Sequence, residues 1–399
     1  MTNSPSPLSP TPSPTSTNWT SLLNTFGALL AFAAIYILFM IIGDPSFQNV
    51  GGKLEDIVRA TTQVGFAALG MTVIIIVGGI DLSVGSVLGV TSVVVALLLR
   101  DFGWPPLAAA CAAVAVGALC GALNGVLIVG LRVVPFIITL GMMLIARGGA
   151  IQLGDKGKIN APPQWLFELV SPGEATLTWS RPVMTILVVC WCLVALATIF
   201  AGAALALRAG RWGRRISPLV AALAAGGAAA AWLGGAGLIA KVTYTWPAGL
   251  WLLAAAAILL AAVLRYTRFG RHVFAVGSNE QTARLCGVRV GAVKVAAFCL
   301  GGLFAGLAGL MNFARVTVGD CKAGEGAELN VIAAVVIGGG SLSGGAGSVL
   351  GSLVGALIMS VIASGCTSLG VESGVQMIIT GGIIVVAVFL DRLRHERAR

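Results

Sequence analysis

The chain has 399 residues, 57% of them hydrophobic and 10% charged, with a mean hydropathy of +0.97 and a net charge of +10. Soluble domains carry about 25% charged residues, so a soluble globular protein is excluded, and a transmembrane barrel would need alternating segments of roughly 10 residues that the sequence lacks. The basic surplus lies in short loops between apolar runs, which is positive-inside patterning rather than a nucleic-acid surface.

Residues 1–19 are uncharged and rich in Ser, Thr and Pro. They hold too little apolar surface to fold and are expected to be a disordered cytoplasmic tail. No basic stretch precedes the first apolar run, so a cleaved signal peptide is not expected. A transmembrane domain is expected over 20–391 and a basic cytoplasmic tail over 392–399. The first span is placed at about Asn24–Ile42, and the polar stretch 44–58 fits a helix lying at the membrane interface. Apolar runs near the roughly 20 residues that cross a bilayer core follow at about 61–79, 84–99, 106–131, 134–152, 183–207, 217–240, 247–264, 292–313, 329–340, 346–365 and 374–390. The fold class is thus an all-α polytopic membrane protein with about 10–12 transmembrane helices. The run 329–340 is too short for a straight span and reads as a re-entrant or half helix.

Lys and Arg set the orientation. Arg208, Arg211, Arg214 and Arg215 form one basic loop, residues 265–291 a second, and the last eight residues a third. Twelve spans with both termini inside put all three in the cytoplasm and make 153–182, with Asp155, Glu168 and Glu174, the longest external loop. Eight cysteines lie mostly in apolar spans, without disulfide or metal-ligand spacing.

Glycine accounts for 54 residues, and many recur four apart: Gly117, Gly121 and Gly125; Gly302 and Gly306; Gly347, Gly351 and Gly355. Small residues on one helix face let helices approach closely in lipid. Two Gly-rich interruptions echo one another. Gly78–Gly89 reads G-G-I-D-L-S-V-G-S-V-L-G, and Gly338–Gly345 reads G-G-G-S-L-S-G-G, followed two residues later by Ser348–Gly351 as S-V-L-G. Corresponding breaks in two halves of a chain point to a transport site built from broken helices and to an internal repeat.

No phosphate-binding G-x-x-x-x-G-K-[ST] motif, H-E-x-x-H or serine-hydrolase elbow with a triad is present, and the two histidines, His272 and His395, lie in polar segments. No catalytic or metal site is expected. Either an ion gradient drives transport through this chain alone or a separate subunit supplies the energy. Asp81 between two spans fits a polar contact on a substrate path, a proton or cation site in a self-sufficient transporter, or an N-cap on the following helix. Ser83, Asn124, Thr139, Glu328 and Asn330 are the other candidates for a translocation path. Asn124 also suits a hydrogen bond to a neighbouring helix, and Pro135 starts or kinks the span that carries Thr139.

The segment Gly270–Val290 is polar, basic and helix-capable. Ser278 with Gln281 reads as a capping box, and Gly287 reads as a left-handed terminator. Its apolar residues Ala283, Leu285 and Cys286 make a poor lipid-facing stripe, so a helix that docks a protein is expected, centred on Gly270, Arg271, Ala275, Gly277, Ser278, Asn279, Glu280, Ala283, Arg284 and Gly287.

Six stretches together resemble the permease subunits of bacterial ABC importers for monosaccharides, the ribose, xylose, arabinose and galactose group. They are Gly78–Ser86, Gly121–Gly125, Val134–Gly141, Gly270–Gly287, Glu328–Gly339 and Ser341–Gly347, in the family's order. The pair of spans around Arg208–Arg215 resembles an insertion of xylose-type permeases. The resemblance implies a pair of permease subunits, a homodimer. It implies an external sugar-binding protein that delivers substrate, and a cytoplasmic ATPase with two fused ATP-binding halves that docks on Gly270–Gly287. ATP and Mg would then sit on that ATPase, leaving this chain without a cofactor of its own. The setting is the bacterial inner membrane. A related branched-chain amino-acid permease and an ion-coupled transporter remain the alternatives. Asn330 stands where the family commonly has an acidic residue, and Cys321 is unexpected in an external segment.

Overall fold

A computed structural model describes residues 19–43, 50–154, 157–162, 166 and 248–397. The expected spans 183–207 and 217–240, the Arg208–Arg215 loop, Glu168, Glu174 and residues 1–18 fall outside the described residues. The elements in order are α1 (Trp19–Ile42), α2 (Val50–Ile76), α3 (Val84–Arg100), α4 (Pro106–Leu131), α5 (Pro135–Leu153), β1 (Lys158–Asn160), α6 (Ala248–Tyr266), α7 (Arg268–Ser278), α8 (Glu280–Leu285), α9 (Val290–Val316), β2 (Val318–Asp320), α10 (Ala327–Ile337), α11 (Val349–Ser368) and α12 (Ser373–Arg397). Six of the described helices are long and apolar enough to cross a membrane, and shorter apolar helices lie at Leu30–Ile42, Val84–Arg100, Ala327–Ile337 and Ser373–Val386. The protein is an all-α polytopic membrane protein.

Most boundaries agree with the hydropathy reading to within a few residues, because Pro and Gly punctuate the ends. Pro106 and Pro135 each open a helix at its first turn, where a missing N–H costs nothing. One expectation is corrected. Residues 50–58 are not a separate interfacial helix but the first turns of α2. Ile57 there is fully buried, so a core contact carries the helix through a stretch that composition alone marks as polar.

The centre of the bundle is α9, packed on α4, α2 and α3. Its closest approach is to α4. A Cβ on Gly121 would strike the Phe298 carbonyl oxygen and lie 2.9 Å from Gly302 N and Cα, and a Cβ on Gly117 would lie 2.6 Å from Gly302 O. The four-residue glycine spacing therefore marks real helix crossings. The same holds for α10 against α11, where Gly351 faces Gly338 and Gly355 faces the Ala334 carbonyl. With so little side-chain volume between them, backbones approach closely and dispersion contacts are maximised. A hydrogen bond from Thr72 Oγ1 to Ser352 Oγ at 2.7 Å links α2 to α11 inside the bundle.

The expected half helix is present. α10 has 11 residues, or about 16 Å at 1.5 Å per residue. It begins deep in the bundle because the preceding chain runs inward along α3. Gly319 lies against Ser92 and Ala96, the Ala323 carbonyl against Gly89, and Gly324 against Gly85. At the mouth of this descent β2 pairs antiparallel with β1, Asp320 opposite Lys158. This small ribbon was not foreseen, since three residues give too short a pattern to read.

Candidate functional site

Polar groups gather at two levels of the bundle. The first level is the break between α2 and α3. α2 stops in a Schellman turn: Gly78 has φ +84°, its N–H bonds Ile75 O at 3.0 Å, and Gly79 N–H bonds Ile74 O at 2.8 Å. Asp81 follows, 1% exposed. It is not the N-cap of α3. Ser83 holds that position, and Asp81 Oδ1 accepts from Ser83 N at 2.7 Å and from Ser83 Oγ at 2.6 Å, an Asx turn that fixes the loop before the helix starts. Asn124 on α4, fully buried, donates from Nδ2 to Ser83 Oγ at 3.0 Å. Thr139 on α5 donates to Ile80 O and Phe136 O, each at 3.3 Å. Four sequence candidates, Asp81, Ser83, Asn124 and Thr139, therefore meet at one junction of α2, α3, α4 and α5.

The break between α10 and α11 repeats this construction. Gly339 has φ +90°, its N–H bonds Val336 O at 2.9 Å, and Gly340 N–H bonds Val335 O at 2.8 Å. Two residues on, Ser341 Oγ takes the place of the Asp81 carboxylate. It lies 2.8 Å from Ser343 Oγ and accepts from Ser343 N at 3.4 Å. The sequence echo is thus matched by like turns, one residue out of register: Asp81 comes three residues after the left-handed Gly78 and Ser341 two after Gly339. The two turns touch, because Gly345 N–H donates to Ile76 O at 2.9 Å and Gly344 abuts Gly78.

Asp81 is expected to hold its turn through acceptance rather than through its charge. Asp81→Asn keeps an Oδ1 acceptor and should leave the apparent Tm of the purified protein near that of the unaltered chain. Asp81→Ala orphans the Ser83 N–H and hydroxyl, at a cost of about 1–3 kcal/mol, and should lower it. A thermal melt followed by tryptophan fluorescence distinguishes the two outcomes.

The second level lies deeper along the re-entrant segment. Arg147 of α5, inside an apolar helix, donates from Nη1 to Cys321 O at 2.8 Å and to Ala323 O at 2.9 Å. Non-helical backbone at membrane depth survives only where its carbonyls are satisfied, and Arg147 supplies that need. Cys321, 3% exposed, packs near Gly154. It is a small apolar residue in a packed crossing, which accounts for a cysteine in this segment. Glu328 lies in the first turn of α10, its Oε2 buried beside Gly85. Asn330 is half-buried on the same helix, and Glu325 is exposed. Glu328 and Asn330 thus belong to this second level and not to the Asp81 junction. Arg147 was missed by sequence reasoning, although an ionisable residue in an apolar span is itself a signal.

The basic segment forms two helices in an angled pair. Thr267 caps α7 by accepting from Gly270 N at 3.2 Å. Ser278 is not a cap but the last residue of α7, so the expected capping box is corrected. Asn279, with extended φ and ψ, accepts from Thr282 N at 2.8 Å and opens α8. Gly287, φ +81°, ends α8 as expected, in a Schellman turn with Gly287 N–H to Arg284 O and Val288 N–H to Ala283 O. Glu280 clasps α8 to α9 through Lys294 Nζ at 2.7 Å and also meets Arg284 at 3.1 Å. Its bond to Lys294 holds the Glu280 carboxyl below the usual carboxylate range, so the clasp is whole at neutral pH and is lost only as pH falls through that lowered value.

Gly270, Val273 and Val276 turn inward, whereas Arg271, Ala275 and Ser278 face out. The end of α7 rests on both breaks. A Cβ on Gly277 would strike the Ile76 carbonyl oxygen and lie 2.7 Å from Gly345 N, and one on Gly345 would lie 2.6 Å from Ser278 Oγ. The segment is therefore seated where the two repeated turns meet.

A family model described as "Branched-chain amino acid transport system / permease component" matches residues 53–388. The ribose import permease protein RbsC of Escherichia coli (strain K12) is 32% identical over 366 residues, 91% of this chain and 92% of that protein. The xylose transport system permease protein XylH of Haemophilus influenzae is 32% identical over 386 residues, 94% of this chain and 98% of that protein. The probable ABC transporter permease protein YphD of Escherichia coli (strain K12) is 32% identical over 377 residues, 94% of this chain and 92% of that protein. No solved structure matches the chain.

Proposed function

Since this chain belongs to the family of transport-system permease components, we propose that it is the membrane-spanning subunit of an ATP-driven importer for a monosaccharide, with a pentose such as xylose the first candidate. The observation that carries this reading is similarity over more than nine-tenths of the chain to permeases named for ribose and xylose. The contacts of α7 with Ile76 and Gly345 support a route for coupling. A cytoplasmic ATPase, with ATP and Mg bound on its own two halves, grips α7 and α8. Its closure pushes the end of α7 against Ile76 and Gly345. Those contacts shift the α2–α3 break and the α10–α11 hairpin together, the two-state rearrangement that exchanges access to the path. Asp81, Ser83, Asn124 and Thr139 line the inner stretch of that path, and Glu328 and Asn330 the stretch farther from α7. A second copy completes the conduit, and a soluble sugar-binding protein loads it from outside the inner membrane.

The family description favours a second reading, an importer of branched-chain amino acids. One reconstitution separates the two. Proteoliposomes holding the chain, its ATPase and its binding protein are expected to accumulate labelled xylose or ribose only when all three and ATP are present. Uptake of leucine in place of pentose supports the second reading. Sugar accumulation by the chain alone under a proton gradient overturns both.

A further inference from the structure

The junction of α2, α3, α4 and α5 leaves one buried polar atom unmatched. Ser83 has a single hydroxyl hydrogen, and it goes to Asp81 Oδ1 at 2.6 Å. Towards Asn124 the same hydroxyl can therefore only accept, and Asn124 Nδ2 donates to it at 3.0 Å. A flipped amide would set two acceptors against each other, so the Asp81–Ser83 bond dictates the orientation of Asn124. Its Oδ1 is left buried with no hydrogen-bond donor among the described residues, on a side chain that is 0% exposed.

A bond between helices does not call for that oxygen. Such a bond needs one donor and one acceptor, and Asn124 Nδ2 with the Ser83 hydroxyl already completes it. The neighbouring groups add acceptors rather than donors. Asp81 takes part in no ion pair among the described residues, and the one hydroxyl hydrogen of Thr139 is shared between the Ile80 and Phe136 carbonyls. Whatever relieves Asn124 Oδ1 must bring a donor of its own to an acceptor-rich place.

We infer that Asn124 Oδ1 accepts a hydroxyl of the passing sugar, which makes Asn124 a specificity-determining residue of the path. The inference rests on the importer reading and deepens it, from a set of polar positions to one atom and the functional group it receives. In the arrangement described here the oxygen is sealed in, and a buried acceptor without a donor disfavours that closure. A polyol that enters as the α2–α3 break shifts supplies the missing bond. Sugar and opened junction thus favour each other, whereas an apolar cargo of the same size brings no donor and gains nothing there.

The test pairs a change in the side chain with a change in the sugar. Proteoliposomes hold the full chain, its ATPase and its binding protein, with the binding protein loaded and saturating. Initial rates of ATP-driven uptake are measured for the transported pentose and for each of its monodeoxy analogues. The chains compared are the unaltered one, Asn124→Leu and, as a smaller replacement, Asn124→Ala. The binding protein is the same in every arm, so its own preference cancels. For one analogue, the ratio of parent to analogue rates is expected to fall by about fivefold or more from the unaltered chain to either variant. A residue that only supports the fold slows every sugar alike and leaves each ratio where it was. Ratios that stay within about twofold for every analogue, in a variant recovered folded, overturn this inference and leave the importer reading in place. An unaltered chain that carries every monodeoxy analogue as fast as the parent sugar overturns it as well. Failure of the complete assembly to carry any pentose, or uptake of leucine in its place, overturns the sugar-importer reading together with this inference.

Discussion

Gly277→Ala is expected to cut ATP-driven uptake by at least about tenfold while the chain still folds and still binds its ATPase. The added methyl has no flexible neighbour to displace. It meets the backbone carbonyl of Ile76 and the backbone nitrogen of Gly345, so α7 must lift off one break or both. Overpacking of this kind costs about 1–3 kcal/mol, which in a two-state equilibrium is a shift of roughly 5- to 150-fold. The outward residues proposed to meet the ATPase, such as Arg271 and Ala275, are untouched. Gly130→Ala is the control, since a Cβ there meets nothing within 4 Å. Uptake in Gly277→Ala within about twofold of the unaltered chain, well short of that shift, would sink the idea that α7 drives both breaks through this contact.

The largest effect on stability is expected at the crossing of α4 and α9. Gly121→Val should prevent recovery of a monodisperse protein, and Gly121→Ala should be recovered in lower amount with a depressed Tm. The partner surface at Gly121 is the Phe298 carbonyl and the backbone of Gly302. Nothing there can shrink, because Gly302 already has no side chain. The helices must separate along the core of the bundle, losing many close contacts at once, so the cost lies at the upper end of about 1–3 kcal/mol or beyond it. Size-exclusion profiles and thermal melts in detergent decide the matter. An unchanged profile for Gly121→Val would mean that this crossing is looser than described.

Much of this architecture was legible in the residues. Span limits followed from Pro135 and the apolar runs, the half helix from the shortness of the run before Gly338, and the tight crossings from glycine at four-residue spacing. Gly287 announced the end of α8 because only a residue without a Cβ takes that backbone freely. The misreadings share a cause. Ser278 and Asp81 both carry oxygens suited to capping, and local pattern does not say which of two adjacent acceptors wins. The backbone chose Asn279 because α7 continues through Ser278, its last turn closed by the Asn279 N–H bond to Ala275 O. It placed Asp81 in a turn two residues before the Ser83 cap. Arg147 and Cys321 were opaque for another reason. Their bond spans 174 positions, and composition carries no record of such a pairing.

Two glycine-broken turns that abut share one fulcrum. A swing of one arm is expected to carry the other, because Gly345 is tethered to Ile76 and both bear on the same short rod. Movement at this end is therefore expected to be concerted, since an arrangement with one arm moved and its counterpart at rest gives up the Gly345–Ile76 hydrogen bond.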